Sequence, residues 1–134
     1  MKPLVVLTQR VHADALDLLM TVCDVALASG NGIYARHDLK ELARHAHGLV
    51  VGSAIRIDES LLSGCNHLQV VACTFRIPEH IDVAACTRRR AWVTNVMTRW
   101  LGKEAEIEAA RNVLDVISGD TPRSALNDVL ARAA

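Results

Sequence analysis

Short apolar runs alternate along this chain with stretches whose apolar residues recur every three or four positions, a pattern that predicts strands and helices in turn. Leu4 to Leu7, rich in β-branched valine and bounded by Pro3 and Thr8-Gln9-Arg10, reads as a central first strand. Val11, Ala15, Leu18, Leu19 and Val22 then share one face of a helix over His12 to Val22, with Asp14, Asp17 and Thr21 on the other. Asp24 to Ala28 reads as a second strand and Ser29-Gly30-Asn31-Gly32 as a loop. Leu39, Leu42, Ala43 and Ala46 mark a second helix that Gly48 is expected to end, before a third strand at Leu49-Val50-Val51. Asp58 suits the N-cap of a short helix through Leu62, stopped by Gly64.

From Leu68 to Asn95 the pattern tightens into strand, loop, helix and strand. Val70-Val71-Ala72 and Ala91 to Thr94 are the strands, and Ile81 to Arg89 is the helix, with Ile81, Ala84, Ala85 and Arg88 on one face. A crossover of this length implies a parallel pair with a right-handed connection. The whole alternation predicts an α/β fold, a flavodoxin-like three-layer α/β/α sandwich of about five parallel strands in the order 2-1-3-4-5. The last helix spans Lys103 to Ser118: Ala105, Ala109, Ala110, Val113, Leu114 and Ile117 form its stripe, and Glu104, Glu108, Arg111 and Asp115 are spaced to pair along its polar side. Gly119 caps it and Pro122 prevents continuation. In such sheets ligands gather at the carboxyl ends of the strands, which directs attention to the loop Thr74 to His80.

Composition narrows the setting. A chain of 134 residues is expected to form a single domain, burying roughly two thirds of its unfolded surface without metal or disulfide support. Fifteen basic and fifteen acidic residues give no global field for nucleic acid or membrane. Cys23, Cys65, Cys73 and Cys86 have no C-x-x-C spacing and read as buried thiols in a reducing compartment. The opening MKPLVVLTQR is too short an apolar run for a signal peptide, and the expected location is the cytoplasm.

Ile81-Asp82-Val83, Ala85, Thr87-Arg88-Arg89 and Val93-Thr94-Asn95 resemble a pattern of the D-isomer-specific 2-hydroxyacid dehydrogenases, with the greatest similarity to their phosphite (phosphonate) dehydrogenase members. The opening LVVLTQRVHADALDLL and the closing AARNVLDVISGDTPRSALN also resemble the ends of that family's substrate-binding domain. The resemblance implies a discontinuous domain, 1–97 and 103–134, whose two parts are joined directly where family members insert a nicotinamide-binding domain. The family's catalytic arginine, glutamate and histidine belong to that domain, and no G-x-G-x-x-G occurs here. The expectation is therefore no catalytic residue and no bound cofactor.

For the anion site the resemblance implies Arg76, Ile77 and Ser53. Family members carry glycines at the positions of Phe75 and Ile77, or in phosphite dehydrogenase a lysine and a glycine at Arg76 and Ile77, where backbone amides hold the substrate's anionic group. Here Arg76 keeps a charge suited to carboxylate, phosphite or phosphate, whereas Ile77 brings a side chain to the cradle and Glu79-His80 replaces the usual Asp-Asn. Arg90 stands where the family has a capping glycine.

Other constellations carry less. His37, His45 and His47 do not share a helical face with a completing carboxylate, so no metal site is expected. The run Arg88-Arg89-Arg90 with Arg76, Arg99, Trp92 and Trp100 could form a basic aromatic surface, but the balanced charge argues against a nucleic-acid partner. Met97, Trp100 and Leu101 are expected to be uncovered where the cofactor domain would lie, forming a homodimer interface unless Trp100 folds back on the last helix. Two functions stay open: a non-catalytic module binding a small anion or a protein, and half of a split oxidoreductase that recruits a cofactor domain in trans.

Overall fold

The computed structural model describes residues 2–28, 36–53, 55–99 and 102–130. The loop predicted at Ser29 to Gly32 lies outside them, as do Trp100 and Leu101. The elements run β1 (Leu4–Leu7), α1 (Ala13–Met20), β2 (Asp24–Leu27), α2 (Arg36–Ala43), β3 (Gly48–Val51), α3 (Glu59–Leu62), β4 (Val70–Cys73), α4 (Val83–Arg88), β5 (Trp92–Thr94) and α5 (Lys103–Ile117). All five strands are parallel in the order β2-β1-β3-β4-β5, as the alternation predicts.

Strand residues alternate between two cores because successive side chains leave opposite faces of the sheet. Val6, Leu49, Val51, Val71 and Val93 pack beneath α2, α3 and α4. Val5, Leu7, Val50, Val70, Ala72 and Trp92 pack beneath α1 and α5. These are the three layers. Registration places Leu49 opposite both Val6 and Val71.

Several local expectations are corrected. Helix α1 is shorter than His12 to Val22: His12 caps it, its Nδ1 accepting the Asp14 N–H at 3.0 Å, and Val22 lies beyond its end, 44% exposed. Gly48 does not end α2; it is the first residue of β3, buried where a Cβ would meet Val70 Cγ1 at 3.2 Å. Ser63, not Gly64, caps α3. Ile81 precedes α4 and bridges Ile57, while Ala84 faces outward and Cys86 takes the buried position. On α5 the buried set includes Asn112 and Val116, whereas Leu114 and Ile117 are half-buried. Its polar side pairs away from the helix: Asp115 holds Arg123 at 2.9 Å, and Glu108 accepts the Met97 N–H at 2.7 Å.

Helices α4 and α5 end with the same pattern of hydrogen bonds. At α5, Gly119 N–H reaches Val116 O at 2.9 Å and Asp120 N–H reaches Asp115 O at 2.8 Å, with Gly119 at φ 89°. At α4, Arg90 N–H reaches Thr87 O at 3.0 Å and Ala91 N–H reaches Cys86 O at 2.9 Å, with Arg90 at φ 59°. Both are Schellman closures, which put a left-handed residue just past the helix. Glycine is the residue best suited to this position. A left-handed side-chain-bearing residue costs roughly 1–2 kcal/mol, and glycine offsets part of that through about 0.5–1 kcal/mol of unfolded-chain entropy. Arg90→Gly is therefore expected to stabilise the domain by about 0.5–1 kcal/mol, read as a higher urea midpoint. An unchanged or lowered midpoint would mean that the arginine side chain compensates for its backbone.

The segment after α5 returns to the outer edge of β5. Thr94 and Ala125 form an antiparallel bridge, Leu126 N–H donates to Val93 O at 2.7 Å, and Asn95 N–H donates to Ser124 O at 3.1 Å. Asn127 Oδ1 accepts the Val93 N–H at 2.8 Å, and its Nδ2 donates to Thr87 Oγ1 at 2.9 Å and Ala91 O at 3.0 Å. The backbone donors of an otherwise open edge are thereby satisfied.

Candidate functional site

The carboxyl ends of β1, β3, β4 and β5 are locked together by short polar side chains. Thr8 Oγ1 accepts the Gly52 N–H at 3.0 Å and donates to Val50 O at 3.3 Å. Thr74 donates through both its N–H and its hydroxyl to Val51 O, at 3.1 and 3.3 Å. Buried Asn112 reaches from α5, its Nδ2 donating to Asn95 O at 3.2 Å and its Oδ1 accepting the Ser124 N–H at 3.2 Å. Asn95 Nδ2 in turn donates to Arg76 O at 3.0 Å, and Val96 N–H to Phe75 O at 3.4 Å.

This bracing uses the carbonyls of the loop after β4 and leaves its amides. Among the described residues, the N–H groups of Phe75, Arg76 and Ile77 donate to no protein acceptor. Arg76 is exposed and Ile77 is 69% exposed, so neither side chain closes over the loop. Beside it lies a cavity of about 140 Å³ lined by Gln9, Ser53, Thr74, Phe75, Gly102 and Glu106. The structure thus places Ser53 within the cavity, but Arg76 and Ile77 are not among its lining residues.

Gln9, Gly102 and Glu106 are the cavity residues that sequence reasoning missed, whereas Thr74 and Phe75 lie in the loop it singled out. Gln9 lies two residues past β1, as Ser53 lies two past β3, so the strand-end rule applied to every strand would have found it. Glu106 carries no such signal, because only the packing of α5 brings it to this edge. Its Oε1 accepts the His12 N–H at 2.7 Å.

The remaining reactive groups are accounted for elsewhere. Burial pushes the Cys73 and Cys86 thiols up to about 12, which leaves negligible thiolate at neutral pH and removes them as nucleophiles. His47 Nδ1 accepts the Leu4 N–H at 3.0 Å and its ring stacks on His67 at 5.9 Å, before β3 rather than at its carboxyl end. No group of three or more His, Cys, Asp or Glu able to hold a metal occurs among the described residues. Glu59 pairs with Arg89 at 2.6 Å and Arg88 at 3.1 Å, and those guanidinium groups hold its carboxyl below the usual range. Trp92 is buried, so the basic aromatic surface is not assembled around it. No helix among the described residues is long and apolar enough to cross a membrane.

A sequence model described as "D-isomer specific 2-hydroxyacid dehydrogenase, catalytic domain" matches residues 5–100. The chain belongs to this family. The match runs from β1 through β5, so every strand that builds the carboxyl edge lies within the family's region, whereas α5 and the returning segment lie beyond it. Solved structures agree in fold. The PH0520 protein of Pyrococcus horikoshii shares 26% identity over 72% of this chain and 28% of its own, with a TM-score of 0.64. An NAD+-bound 3-phosphoglycerate dehydrogenase of Entamoeba histolytica shares 18% identity over 71% of this chain and 33% of its own, with a TM-score of 0.59. A glyoxylate/hydroxypyruvate reductase of Sinorhizobium meliloti, in complex with NADP and malonate, shares 18% over 73% of this chain and 29% of its own, with a TM-score of 0.57. The chain therefore spans a third or less of the length of these dehydrogenase-family structures.

Proposed function

We propose that this chain is a substrate-domain module that binds a small carboxylate or oxyanion at the carboxyl edge of β4, without carrying out hydride transfer by itself. The observation that carries this reading is the run of three amides at Phe75, Arg76 and Ile77 with no protein acceptor among the described residues. Three successive backbone donors without protein acceptors, beside an exposed guanidinium, are groups that an anion can bind. Hydride transfer needs cofactor and substrate held in near-attack geometry, and residues 1–134 contain no glycine-rich dinucleotide loop. In this reading residues 103–130 serve as the returning part of a discontinuous substrate domain, and the four buried free thiols fit a cytoplasmic setting.

A thermal-shift series with phosphite, phosphate, glyoxylate and pyruvate tests the proposal, because a ligand of the native state raises the melting temperature. Arg76→Ala is expected to remove most of that shift while changing unliganded stability by no more than about 0.5 kcal/mol, as for other exposed sites. Equal shifts in the two proteins would place the anion elsewhere.

A second reading has this domain working with a nicotinamide-binding domain in trans. Its support is that two solved structures similar in fold hold NAD+ or NADP. Saturable stabilisation by NAD only in the presence of a separate cofactor domain would favour it.

The proposed association is a homodimer centred on Met97, Trp100 and Leu101. Met97 is 62% exposed, as an interface methionine would be in the free chain. Sedimentation equilibrium at micromolar concentration is expected to give a dimer, and Trp100→Glu a monomer. A wild-type monomer, or a dimer indifferent to the substitution, counts against this surface.

A further inference from the structure

Among the described residues, the cavity beside the free amides has one charged lining residue, and it is acidic. Gln9, Ser53, Thr74 and Phe75 are neutral, Gly102 has no side chain, and Glu106 is half-buried. One Glu106 oxygen is satisfied by the His12 N–H at 2.7 Å. The nearby basic group one turn earlier on α5, Lys103, is held away by Asp14 at 2.8 Å, a contact that also draws the Asp14 carboxyl below its usual range. Among the described residues, no basic side chain forms an ion pair with Glu106. A half-exposed carboxylate with one oxygen not engaged by His12, beside a cavity large enough for several waters, is placed to accept from a cationic hydrogen-bond donor there.

Phe75 belongs to both features, lining the cavity and opening the run of free amides. An anion that takes the Phe75 amide as one of its donors would lie next to the Glu106 cavity. We infer that the ligand of this site is a small zwitterion, a 2-amino acid or aminophosphonate, with its acid group on the Phe75–Ile77 amides and its ammonium directed to Glu106, Gln9 and Ser53. This rests on the anion-binding reading above and adds a preference within it. An ammonium donates to the carboxylate with full opposite charge, whereas a hydroxyl in the same place donates without it. Hydrogen bonds between charged partners are the stronger class.

Calorimetry with glycine and glycolate isolates that difference, since the two acids differ only in ammonium against hydroxyl. Wild type is expected to bind glycine at least tenfold more tightly. Glu106→Gln keeps an oxygen for the His12 N–H; it is expected to abolish the preference, with glycine losing at least tenfold more affinity than glycolate. Glycolate binding as tightly as glycine, or a glycine preference that survives Glu106→Gln, would overturn the inference and leave anion binding at β4 intact. Binding of neither acid, with acetate and phosphite also silent, would overturn both.

Discussion

Asn112→Leu is expected to lower the stability of the domain by about 2–4 kcal/mol, even though leucine is the more apolar residue and similar in size. Asn112 is fully buried on α5 and makes two hydrogen bonds in different directions, to the Asn95 carbonyl and from the Ser124 amide. Leucine would leave that carbonyl and that amide facing an apolar side chain. Each orphaned buried group costs about 1–3 kcal/mol, more than leucine's added hydrophobicity returns at a site already closed to water. The loss is also expected to release the segment after α5 from β5, exposing the Val93 and Asn95 amides to hydrogen exchange before global unfolding. Urea unfolding measures the first effect and native-state exchange the second. A variant as stable as wild type would show that the returning segment is an appendage rather than part of the domain.

Leu49→Ala is expected to cost about 3 kcal/mol, near the middle of the range for leucine deletions in cores. Leu49 has no exposed surface, sits on β3 at the centre of the sheet, and faces the core shared by α2, α3 and α4. Its neighbours in register, Val6 and Val71, are fixed by their own strands and cannot move in to fill the space. Domains of this size are stable by about 5–15 kcal/mol, so the variant should still fold but melt at a markedly lower temperature. A cost below about 1 kcal/mol would mean that the core under β3 collapses around the deletion.

The architecture was legible because each of its strands is a short apolar run and each long helix carries a three-to-four residue stripe. Those are statements about burial, and burial is what built the sheet. The Asp58 and Gly119 caps were legible for a different reason: they are local hydrogen-bond devices with few suitable residues. What escaped detection was polar or left-handed. Asn112 lies on the buried side of α5, one heptad past Ala105, but its polar side chain hides that position in an apolar pattern, and its two partners in later and earlier segments satisfy it there. Arg90 occupies a left-handed position that a sequence marks reliably only with glycine. Gly48 suggests a helix stop because glycine often ends helices, yet here the absence of a side chain admits Val70 and Val113. At the candidate site, the loop after β4 was accessible through the strand-end rule and the family resemblance. Glu106 was not, since it lies 29 residues beyond Ile77 and arrives only when α5 docks.

The most direct test of anion recognition at the end of β4 is an amide-resolved NMR titration with glycine, glycolate and phosphite. The amides of Phe75, Arg76 and Ile77 are expected to move together and saturably, with Ser53 and Gln9 following and the Arg88 to Arg90 region unmoved. Arg76→Ala should weaken the response without scattering it. Saturable shifts confined to another surface, or none at Phe75 to Ile77, would contradict the account.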